Sequence, residues 1–166
     1  MDSPVYQTPA VDGSDVVVTT TRGRVLAIDA FTGDTKWEWV GAPHLRMGAP
    51  ALSSSSVVVG ATDGRVILLD RLSGQLQWEA MFDDVISAAP LIVGPTVFVA
   101  TLGKELAGLD VRTGEITWRT ELEGRVKSAM AVAEGGLLVL TEPKWVVYFK
   151  PTTSASLEQT DAEATE

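Results

Sequence analysis

The stretch AIDAFTGDTKW at residues 27–37 is written again as LLDRLSGQLQW at 68–78 and as GLDVRTGEITW at 108–118. Three residues keep their places in every copy: Asp29, Asp70 and Asp110; Gly33, Gly74 and Gly114; Trp37, Trp78 and Trp118. The copies lie 41 and then 40 residues apart. A fixed period of that length marks stacked supersecondary units, none of which can bury its apolar face alone.

Working outward from the phrase, a second landmark recurs as Thr8-Pro9, Ala49-Pro50 and Ala89-Pro90, with Ala129-Met130 in a fourth place. From Pro to Trp is 28 residues in each of the first three units, so they share one register. After each landmark comes a turn cluster, DGSD at 12–15, SSSS at 53–56, VGPT at 93–96 and AEGG at 133–136. Such residues between short apolar runs signal hairpins. β-branched segments follow, DVVVTT, SVVVGA, TVFVAT and LLVLT, each too short for a helix. A further Gly-bearing turn leads to VLAID, VILLD, LAGLD and VVYFK, and a Thr-Gly or Ser-Gly pair then turns the chain into the strand that carries Trp.

Each unit therefore reads as a four-stranded antiparallel meander of about 40 residues, the size of a propeller blade. The expected fold is all-β, with blades over about 7–46, 47–86 and 87–126 and an incomplete fourth over 127–150. Counting 40 on from the third Trp lands on Glu158, and Lys150 and Ser154 stand where Asp and Gly would be. The segment PTTSASLE begins with proline and has little β propensity. Residues 151–166 read as an acidic, disordered tail, leaving about three and three-quarter blades.

Composition narrows the function. Apolar residues make up 45% of the chain, yet no run is long enough for a membrane-spanning helix. A net charge of −9 argues against nucleic acid as a partner, since phosphate binding requires clustered Lys and Arg. There is no cysteine, which excludes disulfides and thiolate chemistry on this chain. The opening MDSPVYQTPA lacks both the basic and the apolar regions of a secretory signal.

The repeated phrase, Ala-x-Asp-x-x-Thr-Gly-x-x-x-Trp after an Ala-Pro strand, resembles the tryptophan-docking motif of pyrroloquinoline-quinone (PQQ) type propeller repeats. The first unit matches it fully, through Ala27, Asp29, Thr32, Gly33 and Trp37; Leu68 and Ser73 depart from it in the second unit and Gly108 in the third. Tryptophan–aspartate propellers fit less well, because His44 is the sole histidine and no Trp-Asp pair exists. The resemblance implies that each indole packs on the Gly-containing turn of a neighbouring unit, a structural role. It also implies a cell-envelope or periplasmic setting, in which case an export signal would lie outside this sequence. The same repeats build both non-enzymatic BamB-type scaffolds and quinoprotein dehydrogenases.

A PQQ dehydrogenase would require a quinone pocket and a Ca²⁺ site with carboxylate and amide ligands. Asn and Cys are both absent, so neither PQQ nor calcium is expected, and no catalytic residue is assigned. Asp12, Asp15 and Asp63 look like pieces of calcium loops but lack the rest of a ligand set, and read as turn residues. The connections between units place His44, Arg46, Asp84, Arg125 and Lys127 near one rim, with Arg22 and Lys104 from the turns between second and third strands. Cations there on an acidic protein are a candidate site for a carboxylate or an acidic partner.

The leading expectation is a non-catalytic protein-binding or scaffold module. Its alternatives are a piece of a quinoprotein dehydrogenase and a sensor domain of a larger receptor or kinase. Closure of the ring would need further blades, a protein partner or a second copy of the chain; an open arc would expose its edges.

Overall fold

The computed structural model describes residues 4–126, 128, 130–142, 145–151 and 157–162, with residues 145, 151 and 157–162 described by their backbone alone. Four antiparallel sheets follow one another along the chain, and no helix occurs among the described residues. The first comprises β1 (Ala10–Asp12), β2 (Asp15–Thr19), β3 (Arg24–Asp29) and β4 (Thr35–Val40). The second comprises β5 (Ala51–Leu52), β6 (Ser56–Gly60), β7 (Arg65–Asp70) and β8 (Leu76–Met81). In the third are β9 (Leu91–Val93), β10 (Thr96–Ala100), β11 (Glu105–Asp110) and β12 (Ile116–Glu121). Each is a simple meander in which sequence neighbours pair.

The fourth sheet contains β13 (Arg125–Val126), β14 (Ala131–Ala133), β15 (Gly136–Glu142), β16 (Trp145–Pro151) and β17 (Leu157–Ala162). Here the structure departs from the expected tail: β17 pairs with β16 over six positions, from Val146 opposite Ala162 to Pro151 opposite Leu157. The reason lies in the register. Trp37, Trp78 and Trp118 stand opposite Ala27, Leu68 and Gly108, ten residues earlier in each case. In the fourth unit Tyr148 stands opposite Thr160, twelve residues on, so its turn is two residues longer. A fixed count of 40 lands on Glu158, two residues short of the equivalent ladder position at Thr160.

Why the sheets stack is visible in which residues are buried. Strands β2, β3, β6, β7, β10 and β11 are apolar on both faces, as strands sandwiched between layers must be. Val17, Val25, Ala27 and Trp37 of the first unit pack with Val57, Val59, Ile67 and Leu69 of the second. The other face of the second unit, with Val58, Val66, Leu68 and Trp78, packs with Val97, Val99, Ala107 and Leu109. A third cluster joins Phe98, Leu106 and Trp118 to Leu137, Val139, Val147 and Phe149. The core is thus three separate layers, one per junction, and the units are propeller blades.

Candidate functional site

Two places combine the singled-out residues: the turns between the third and fourth strands of each blade, on which the neighbouring blade docks, and the face formed by the connections between blades.

The turns explain the recurring Asp. In each, one carboxylate oxygen accepts backbone N–H bonds from the residues two and three further on. Asp29 accepts from Phe31 and Thr32 at 2.9 and 3.1 Å, Asp70 from Leu72 and Ser73 at 3.1 and 2.8 Å, and Asp110 from Arg112 and Thr113 at 2.8 and 3.0 Å. Bonds to the ionised form hold all three carboxyls below the ordinary aspartate range. The largest contributions come from the Thr32 N–H, the Ser73 hydroxyl and the Arg112 N–H respectively. The Gly N–H closes the same turn onto the Asp carbonyl, at 2.8–2.9 Å in all three.

The turns also explain why Gly and Trp occur together. Trp37, only 9% exposed, donates its indole N–H to the Arg71 carbonyl at 2.7 Å, and Trp78 donates to the Val111 carbonyl at 2.9 Å. The rings lie flat against the glycine of the next turn. A methyl group at Gly74 would stand 2.5 Å from Trp37 Cε3, and one at Gly114 would stand 2.7 Å from Trp78 Cδ2. Their φ angles of +70° and +74° disfavour a side chain as well. Burying one indole is worth about 4–6 kcal/mol as an upper bound, at roughly 25 cal/mol per Å². Trp118 is only half-buried; it meets Phe149 edge-on with ring centres 5.6 Å apart.

A clamp that the periodic reading did not contain joins the first two blades. Arg71 donates through Nε to Asp15 at 2.8 Å, through Nη1 to the Asp12 carboxylate at 2.6 Å and the Ser53 carbonyl at 2.8 Å, and through Nη2 to the Asp12 carbonyl at 2.9 Å. Lys36 Nζ reaches Asp15 at 2.7 Å and Asp29 at 3.1 Å. Asp15 is therefore held below its ordinary pKa, first by Lys36 and next by Arg71. Lys36 is raised by Asp15 and then Asp29, and Arg71 by Asp12 and then Asp15. Asp12 and Asp15 thus serve the blade junction as ion-pair partners. Asp63 caps its own turn, accepting from Arg65 Nε at 2.8 Å.

The connection face is built by backbone bonds between each interblade segment and the turn between the second and third strands. Gly41, Phe82 and Leu122 donate to the carbonyls of Gly23, Gly64 and Lys104 at 2.8, 2.9 and 2.8 Å. His44 sits exposed in the left-handed region, with φ of 68°. Arg22, Arg46 and Arg125 are exposed, and none of them has an ion-pair partner among the described residues. Asp84 is tied into the face itself, accepting from the N–H groups of Val85 and Gly103. Lys127 lies outside the described residues.

All four units contribute to a cavity of about 790 Å³ on the blade axis. Gln7 and Arg46 of the first unit, Thr62 of the second, Ser87 of the third and Ser128 of the fourth line it, and Arg46 is the charged member among the described residues. Small or apolar residues such as Ala49, Pro50, Ala88 and Ala89 form the rest of the wall. Among the described residues no three of His, Asp and Glu come together as a metal-binding group.

Four stacked antiparallel meanders with an axial cavity define a β-propeller blade array. The family model described as outer membrane protein assembly factor BamB matches residues 1–85 and 63–163, and the chain belongs to this family of PQQ-like repeats. No curated protein matches it in sequence. Among solved structures it is similar to BamB from Moraxella catarrhalis, with a TM-score of 0.71 and 24% identity over 96% of this chain and 53% of that one. The computationally designed Ika4 protein gives a TM-score of 0.79 at 19% identity, over 89% of this chain and 91% of Ika4. Quinohemoprotein alcohol dehydrogenase from Comamonas testosteroni gives 0.68 at 20% identity, over 89% of this chain and 29% of the enzyme. At these identities the likeness is one of fold, and the chain spans about half the length of the Moraxella protein.

Proposed function

We propose that the chain is a non-catalytic protein-binding module of the cell envelope, a scaffold of the BamB type that holds no cofactor. The observation that carries this reading is the axial cavity of about 790 Å³, whose one charged lining residue, Arg46, stands without an ion-pair partner among the described residues. A cation beside hydroxyls and small apolar residues suits an acidic or carboxylate-bearing polypeptide segment. Backbone groups at blade edges would add strand-like pairing with such a segment. The membership in the BamB-described family supports the reading.

Site-specific photo-crosslinking from position 89, on the cavity wall, in the host cell tests it, with position 75, on the turn at the far end of the second blade, as control. The expected result is a discrete protein adduct from position 89, absent from position 75 and lost with Arg46→Glu. Equal adducts from both positions would defeat the proposal. Incubation with PQQ and Ca²⁺ separates the enzymatic alternative, since quinone absorbance migrating with the folded chain would favour a dehydrogenase piece.

A further inference from the structure

In each of the first three units the turn between the first two strands is bonded to the turn between the last two. Ala30, Arg71 and Val111 donate their N–H groups to the carbonyls of Ser14, Ser55 and Pro95 at 2.9, 2.9 and 2.8 Å. In an antiparallel meander these turns share one end, opposite the connection face. Two residues after the recurring Asp, this end carries Phe31, Leu72 and Arg112 in the three units. Phe31 and Leu72 are each 86% exposed, and Leu76, on the same turn as Leu72, is 48% exposed.

Blade packing does not account for these apolar tips. Arg112 shows that the turn needs no apolar residue at that place. Leu72 stands out although Trp37 of the preceding blade is docked on its turn and the third blade packs against the other face of its sheet. Single exposed apolar side chains are ordinary, but the same turn position is apolar here in two adjacent blades. The two turns are also fixed to one another. Asp29, two residues before Phe31, pairs with Lys36; Lys36 pairs with Asp15; and Asp15 pairs with Arg71, the residue before Leu72. The clamp thus sets the two tips in one rigid arrangement across the blade junction.

The charge around the tips says what would cover them. Lys36 and Arg71, the cations of these turns, are taken up by the clamp. Asp34, beside Gly33, is exposed and has no ion-pair partner among the described residues, and the Asp12 side chain is 60% exposed. Apolar tips in an acidic surround repel anionic lipid headgroups and complement a protein segment whose apolar side chains are flanked by Lys or Arg. We infer that Phe31 and Leu72 are the apolar anchors of an interaction surface for a basic amphipathic segment of a partner protein. The inference goes beyond the binding role proposed above, because this surface lies at the opposite end from the connections and is independent of Arg46.

Fluorescence anisotropy on the full chain tests this with two labelled synthetic peptides, an amphipathic one of Leu and Lys and its analogue of Leu and Glu. Wild type should bind the Leu/Lys peptide and not the Leu/Glu one. Phe31→Ser with Leu72→Ser should weaken that binding roughly tenfold or more, as loss of apolar anchors does. Asp34→Lys should weaken it as well. Urea midpoints should stay close to wild type in both variants, because all three side chains are exposed. Arg46→Glu should leave the affinity unchanged, which separates this surface from the cavity. Failure of wild type to bind the Leu/Lys peptide, or equal binding by the folded double variant, would overturn the inference. Wild-type binding to phosphatidylcholine vesicles that the double variant lacks would overturn it too, by assigning the tips to a lipid surface.

Discussion

Alanine at Gly33 and alanine at Gly74 make the same chemical change in two turns of nearly the same shape, so their difference isolates the interblade contact. Both positions have positive φ, +78° and +70°, and an L residue there costs about 1–2 kcal/mol. At Gly33 nothing else is touched. At Gly74 the methyl carbon would stand 2.5 Å from Trp37 Cε3 and 2.6 Å from Cδ2, while the Trp37 N–H is fixed to the Arg71 carbonyl. The ring cannot withdraw without giving up that bond, and overpacking of this kind costs about 1–3 kcal/mol more. Urea unfolding followed by tryptophan fluorescence reads the gap. With a slope of about 2 kcal/mol per M, the Gly74→Ala midpoint should fall below that of Gly33→Ala by roughly 0.5–1.5 M. Coincident midpoints, or a larger loss at Gly33, would refute the claim that the glycine is there to admit the indole.

Two further outcomes follow from the same geometry. Trp78→Ala should destabilise the chain by about 3–5 kcal/mol, as removal of a buried aromatic does, and Trp118→Ala by less, since Trp118 is half-buried; thermal melts of the two variants check the order. Asp15 is held below its ordinary pKa of 3.8 by Lys36 and Arg71, so its pairing stabilises the fold fully above about pH 4 and is lost as pH falls through the lower folded value. The stability difference between wild type and Asp15→Asn, measured by urea unfolding from pH 6 to pH 2, should therefore be constant at the high end and shrink below pH 4; a difference that grows on acidification would contradict the clamp.

Legibility in the sequence tracked periodicity. The repeated Asp, Gly and Trp were visible because each junction needs the same turn, the same bare backbone and the same indole. Arg71 was not, because Ala30 and Val111 occupy its place in the neighbouring units, and a residue present once leaves no mark in a repeat. Its partners Asp12 and Asp15 were read as turn residues because 59 and 56 residues, respectively, separate them from the guanidinium. The outer strand of the fourth unit was hidden by its longer turn, which shifts Thr160 two places past the expected position. At the connection face, the pattern pointed to Arg46 and Arg125, but the axial cavity arises from the segments that lead into the inner strands of all four units and has no contiguous signature.

The three apolar layers share no residue, and each draws only on the two sheets it joins. Stability in such an array is a sum over neighbours, so a unit added or lost changes the terms at its own two borders and leaves the others intact. A gene of this kind can grow or shrink by tandem duplication in steps of one blade without redesign of an existing interior. The number of blades is then an inherited count, written in no single unit, and selection can act on the girth of the ring separately from the stability of its parts.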